Sequence, residues 1–285
     1  MSNENKTLVP VWIVYVDGKR LDTKHEGALK KIVVSDRLNG VGTFSLLFDI
    51  SAEKLLELGT FSLESQISIH LGYKDDVEEV FDGEITAFAG RFEEFGHEMV
   101  EVRGCNALYK LKHGIHFISY ENKSCSDVIK DIIENYSLSA ETDSFGANLT
   151  FESAEGLSDY DFLMRAAERY GKDVYAYGNK IYVKDSIEVR SDEVIFEWGK
   201  SLISFFPLKD ISELYSECNS IGWDSIKCEG FNGAAKISDI AKKVGGSDDW
   251  TSCSKGGNGK WIDNIIDTSL VDEEDEKNVA LGRLQ

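Results

Sequence analysis

Chemistry in a protein needs reactive side chains in a usable pattern, and this sequence offers few. The nearest approach to a metal pair is His113 and His116, set around Gly114. A zinc site needs three or four convergent ligands, and no cysteine or carboxylate cluster flanks these two. The other histidines, His25, His70 and His97, stand alone. Paired acids are frequent: Asp75-Asp76, Glu93-Glu94, Asp248-Asp249 and the run Glu273 to Glu276. Glycoside hydrolysis needs two carboxylates facing each other across a cleft, and adjacency in sequence does not supply that. In a chain this acidic, the pairs are expected on the solvated surface. No GxSxG elbow presents a serine nucleophile. The stretch GGNGKW (256–261) departs from the phosphate loop GxxxxGK[ST], and no strand directly precedes it. Cys105, Cys125, Cys218, Cys228 and Cys253 form no CxxC pair and are expected as reduced thiols. From these residues we expect no catalytic, metal or cofactor-binding set, and hence no enzymatic role.

The charged residues with the most regular spacing lie in 156–185, GLSDYDFLMRAAERYGKDVYAYGNKIYVKD. Ser158 reads as an N-cap, with Asp161 placed to complete a capping box. Tyr160, Leu163, Ala167 and Tyr170 recur at helical spacing, widened by Phe162 and Ala166. Gly171 then supplies a left-handed stop. Val174 to Tyr177 and Lys180 to Val183 flank Gly178-Asn179, the pattern of a hairpin with a two-residue turn. Arg165 stands four from Asp161 and from Arg169 and three from Glu168, and opposite charges at that spacing stabilise a helix locally by about a few tenths of a kcal/mol.

Before this unit the chain is strand-rich. Val11 to Val16, a turn at Asp17-Gly18, Lys19 to Leu21, 29–34, 43–50, 66–73, 78–88 and 97–104 all read as strands, with a short helical turn at 51–59. Phe44, Leu46 and Phe48 alternate onto one face. Many short strands with glycine turns predict a barrel or sandwich over about 10–106. Ser124 then opens a helix whose buried face is Val128, Ile129, Ile132 and Ile133. With the helix and hairpin above, it makes a small α+β domain over 107–185. Residues 186–285 return to β character, with a glycine- and serine-rich loop at 245–260 and a charged helix from Glu273. Trp223 is expected in the core.

The 285 residues carry 31 Lys+Arg against 51 Asp+Glu, formally −20. Phosphate-mediated nucleic-acid binding needs a basic surface, so that class is set aside. No run of 18 or more apolar residues is present, and stable membrane insertion is not expected. The N-terminus has neither the basic start nor the apolar core of a signal peptide.

The order of residues in 156–185 resembles the hub portion of contractile-tail proteins, the late control protein D and VgrG-type spike family. The residues that carry the resemblance are Asp159, Tyr160, Asp161, Phe162, Leu163, Arg165, Ala167, Glu168 and Gly171, followed by the aromatic hairpin. Gly42-Thr43-Phe44-Ser45-Leu46, Phe81-Asp82-Gly83-Glu84-Ile85 and Gly222-Trp223-Asp224 with Lys227 resemble further family phrases. The resemblance implies a mainly β fold with an α+β insert. In it, a flexible arm (1–9) leads to a first tube-like β-barrel (10–106). The small α+β domain (107–185) and a second tube-like barrel (186–285) follow, the latter ending in a helix that leads to a spike region. It implies a homotrimer whose six barrels form a pseudo-hexameric ring.

The function so implied is a structural hub that adapts a sixfold inner tube to a threefold spike and supports tube assembly. Its partners would be the inner tube protein, a spike or spike-tip protein, baseplate components and effector cargo. Such a protein is made in the cytoplasm, built into a phage tail or injection particle, and exported on firing. The alternative is a tail-associated cell-wall or polysaccharide hydrolase.

Overall fold

The computed structural model describes residues 9–51, 54, 60–73, 76–92, 98–115, 119–147, 152–153, 156–186, 196–199, 202, 204–206, 215–224, 228–241, 261–266 and 272–284. The segment 245–260 and most of 51–59 therefore lie outside the described residues, as do His97, His116 and Cys253.

The first part of the chain forms β1 (Pro10–Val16), β2 (Lys19–Arg20), α1 (Thr23–Ala28), β3 (Leu29–Ser35), β4 (Thr43–Phe48), β5 (Gln66–Tyr73), β6 (Asp76–Phe92) and β7 (Glu98–Cys105). The strands make one seven-stranded sheet in the order β2-β1-β5-β6-β7-β4-β3. The β1–β2 turn uses Asp17 and Gly18, both at positive φ, as a tight hairpin requires. Val14 and Val16 of β1, Ile67 and Ile69 of β5, Leu46 and Phe48 of β4, and Val100 and Val102 of β7 all enter one buried cluster. Strands at opposite ends of the sheet can share a core only if the sheet curls over on itself. Register shifts in β6, opposite Ile69/His70 and between Ile85 and Ala87, provide the bend. Gly83 lies between the two shifts. A Cβ there would stand 2.4 Å from the Cys105 carbonyl oxygen, so this glycine permits close backbone approach.

The curl does not close, and this corrects the expectation of a barrel. Among the described residues β3 pairs with β4 alone, while β1 pairs with β5 and, only at Tyr15 and Val16, with β2. Helix α1 follows β2 and its His25 is fully buried against Phe61, so a helical turn caps the core where a barrel would pair strands.

A 3₁₀ turn (Ala107–Lys112) leads to β8 (Ser119–Tyr120), α2 (Cys125–Asn135), β9 (Ser139–Thr142), β10 (Glu152–Ser153), α3 (Asp159–Arg169), β11 (Lys172–Tyr177) and β12 (Lys180–Asp185). Ser124 caps α2 by accepting from the Asp127 N–H, and Val128, Ile129, Ile132 and Ile133 are its buried face, as their spacing predicts. Ser158 caps α3 through the Asp161 N–H at 3.1 Å, while its hydroxyl donates to the Asp161 carboxylate at 2.6 Å. Gly171 and Gly178 take positive φ at the helix stop and hairpin turn. Strands β11, β12 and β9 form a sheet in that order, with β9 parallel to β12. Leu163 and Ala167 of α3, Tyr170 at its C-cap, the buried face of α2, and Val174, Ile181 and Val183 of the sheet make the second core.

The last elements are β13 (Glu217–Asp224), β14 (Glu229–Lys236), α4 (Ile237–Ala241), β15 (Ile262–Ile266) and α5 (Glu273–Leu284). Strand β13 lies between antiparallel β14 and parallel β15. This open three-stranded sheet replaces the second barrel expected from the sequence. Helix α5 covers one face, because Gly222 and Gly233 let it approach: a Cβ on Gly233 would stand 2.5 Å from the Glu276 carbonyl carbon. Val279 of α5 belongs to the second core, so this helix is tied to the α+β unit as well as to the sheet.

Candidate functional site

His113 lies just after the 3₁₀ turn with its ring edge-on to Tyr109 at 5.8 Å. Among the described residues no group of three metal-capable side chains forms. Of the acid pairs, Asp75, Glu93, Glu94, Asp248 and Asp249 lie outside the described residues. The run from Glu273 to Glu276 departs from the expected solvated surface: Asp275 is 1% exposed and Glu276 is fully buried. Sequence reading missed both, although a helical period through Glu276, Val279, Ala280 and Arg283 places Glu276 beside the apolar positions.

These two carboxylates sit at the seam where α5 meets α3 and the three-stranded sheet. The Tyr170 hydroxyl donates to Asp275 Oδ1 at 3.1 Å, and the Ala147 N–H donates to the same oxygen at 3.2 Å. Burial raises the Asp275 pKa above its usual carboxylate value, opposed by those two donors and by Arg169. Burial likewise pushes the Tyr170 hydroxyl well above the ordinary phenol range. Ser220 Oγ of β13 donates to Glu276 Oε2. Gly282 lets α5 pass close to the end of α3, since a Cβ there would lie 2.7 Å from the Arg169 carbonyl oxygen. Burial also holds the Cys218 thiol near 11, which leaves it unreactive at neutral pH. Being buried, Asp275 and Tyr170 have no direct access to a solvent-borne substrate, and their part is to fasten α5.

Two surfaces flank the seam. One is a groove of about 510 Å³ that gathers Arg165, Glu168 and Arg169 of α3, Asp263 of β15, and Arg283 of α5. Arg283 Nε donates to Asp263 Oδ2 at 3.0 Å. The charged residues singled out on α3 are thus partly brought together, while Asp161 is used for capping. The other surface is the sheet face opposite α5, where Ile221, Trp223, Ile262 and Ile266 are exposed, Ile266 to 76%. Trp223 is 49% exposed, which corrects its expected place in the core. Strand alternation explains it: Cys218, Ser220 and Gly222 face α5, so Trp223 faces away.

The fold of this chain is that of phage tail proteins. It matches the 43 kDa tail protein of prophage MuSo2 from Shewanella oneidensis at a TM-score of 0.63 and 12% identity, covering 97% of this chain and 78% of that one. The tail protein from Neisseria meningitidis MC58 gives 0.56 and 11%, with 96% and 74% covered. The prophage tail protein gp18 from Listeria monocytogenes EGD-e gives 0.53 and 12%, with 95% and 76% covered. The resemblance to the tail-hub family read from the sequence is therefore borne out in the fold. No curated protein sequence matches. A family model, described as the Alg8 N-terminal domain, matches residues 6–248. That match overturns the expectation of a chain with no enzymatic role, which rested on missing motifs alone and does not outweigh a family assignment over most of the sequence. By that match, the chain belongs to the Alg8 N-terminal domain family.

Proposed function

We propose that this protein is a hub component at the tip of a contractile tail or injection machine, joining an inner tube to a central spike and supporting tube assembly. The observation that carries the reading is the tail-protein fold, which extends over 95% or more of the chain in three tail proteins. The exposed apolar face of β13 and β15 adds support, because Ile221, Trp223, Ile262 and Ile266 gathered on one sheet face suit burial against another subunit. Under this reading the working assembly is a homotrimer that contacts tube, spike and baseplate proteins. Light scattering should give about three times 31.9 kDa. Imaging of particles with and without the protein tests the role: a hub sits between tube and spike, and its deletion stops assembly. Normal particles from the deletion strain would reject it.

A second reading is a tail-associated hydrolase of cell wall or polysaccharide. The family match favours it by lifting the exclusion of catalysis, and the groove beside the seam supplies two carboxylates, Glu168 and Asp263. Release of reducing sugars from cell-wall material, lost in both Glu168→Gln and Asp263→Asn, would support this reading. No release by the purified protein would leave the hub alone.

A further inference from the structure

The unclosed seam of the first sheet is a groove of about 510 Å³ between β1 and β3. Its walls are Pro10, Val11 and Trp12 of β1 and Leu29 to Ile32 of β3, and Leu71 to Tyr73 of β5 complete it. Backbone direction along β1 follows from two bonds. The Asp17 N–H reaches the Gln66 carbonyl of β5, and the Val14 carbonyl accepts from the Leu21 N–H on the opposite side, both at 2.9 Å. With the two-residue period of a strand, Trp12 turns its N–H and C=O the same way as Val14, away from β5 and toward the groove. Beyond Tyr15 and Val16, no described strand pairs with that side of β1. Strand β3 is likewise the end strand of the sheet.

We propose that this groove receives an extended segment of a partner protein, which adds a strand along the open edge and carries carboxylates among apolar residues. Strand addition draws its affinity from main-chain hydrogen bonds and its selectivity from alternate side chains. Three observations specify the occupant. Trp12, Ile32 and Leu71 pack on the first core and offer apolar side chains to one face of an incoming strand. The register shift between Leu29 and Lys31 leaves both Lys30 and Lys31 exposed on the groove wall. Lys30 is 3.3 Å from Asp49, and Lys31 has no ion-pair partner among the described residues. In a chain of net charge −20, two adjacent lysines on an open edge are a local attraction for acid groups. Repulsion from the rest of the protein is screened beyond about 8 Å at physiological salt.

The probe is a panel of synthetic peptides of roughly ten residues, each alternating Val, Ile or Phe with Glu. Controls replace every Glu by Lys, or methylate alternate backbone nitrogens. Fluorescence polarisation measures binding to the full chain, and amide hydrogen exchange locates it. The expected result is that acidic peptides bind and slow exchange in β1 and β3, and that N-methylation abolishes both. The Lys30→Glu/Lys31→Glu variant should bind them at least ~10-fold more weakly and prefer the lysine peptides. Both substituted positions are exposed, so the variant is expected to fold, and a wild-type melting curve checks that. The proposal is overturned if no peptide binds below about 1 mM, if binding ignores N-methylation, or if the variant binds acidic peptides undiminished.

Discussion

The hydroxyl of Tyr170, at the end of α3, donates to the carboxylate of Asp275, 105 residues later, at 3.1 Å. This bond ties the C-terminal helix to the α+β unit inside a buried seam. Tyr170→Phe removes the donor and leaves Asp275 with the Ala147 N–H. A loss of about 1–2 kcal/mol in unfolding free energy is expected by urea titration. A double-mutant cycle with Asp275→Asn should give a non-additive result, and strict additivity would mean that the pair does not couple.

Asp275 also makes stability depend on pH. Burial raises its folded-state pKa above the ordinary 3.8, so the fold favours the protonated carboxyl. This contribution is complete below 3.8 and is lost as pH rises through the folded-state value. Asp275→Asn cannot ionise and should remove that dependence. The urea midpoint of the wild type, compared with the variant, should therefore fall as pH rises above 3.8 through the folded-state value. Parallel pH curves would count against the assignment.

Glu101 works in the opposite direction. It accepts from Ser45 Oγ at 2.5 Å, Arg103 at 2.7 Å and Arg91 at 2.9 Å. The Arg103 and Ser45 bonds, with help from Arg91, bring its pKa from 4.5 down to about 2. Stability from this group is present above 4.5 and lost as pH falls toward 2. Glu101→Gln should lower the melting temperature at pH 7, and its gap to the wild type should narrow across that acid window.

Gly233→Ala tests the helix-on-sheet contact. The added methyl would meet the Glu276 backbone at 2.5 Å, which forces α5 away from β14. A cost of about 1–3 kcal/mol is expected, together with faster amide exchange in α5. A variant as stable and as protected as the wild type would show that the helix can shift freely.

The exposed sheet face can be changed without touching a core. Trp223→Glu with Ile266→Glu should leave monomer stability within about 0.5 kcal/mol for each site. If the face is an assembly surface, light scattering should then show smaller species and particles should fail to form. Unchanged assembly would remove this face from the proposed role.

Much local structure decided by neighbouring residues was legible, although the Asp22-capped helix Thr23–Ala28 was not read. Ser124 and Ser158 as caps, Gly171 as a helix stop, Gly178 as a turn residue, and the inward row Phe44, Leu46 and Phe48 all followed from spacing. Those features depend on backbone geometry within a few residues, which sequence encodes directly. Closure of a sheet does not. Whether β1 pairs with β3 depends on how far the sheet curls and on what α1 occupies, and neither is set by the alternation within a strand. The buried acids were hidden for a related reason. Glu273 to Glu276 is a solvated run by composition. The close approach granted by Gly222, Gly233 and Gly282 carries Asp275 and Glu276 into a seam, where Tyr170 and Ser220 supply the donors that make burial tolerable. Sequence alone determined the caps, helix stops and inward-facing rows of the elements it could read, such as those at Ser124, Ser158 and Gly171. Only the tertiary structure decided which edges stay open and which charges leave water, because both depend on surfaces brought together from distant parts of the chain.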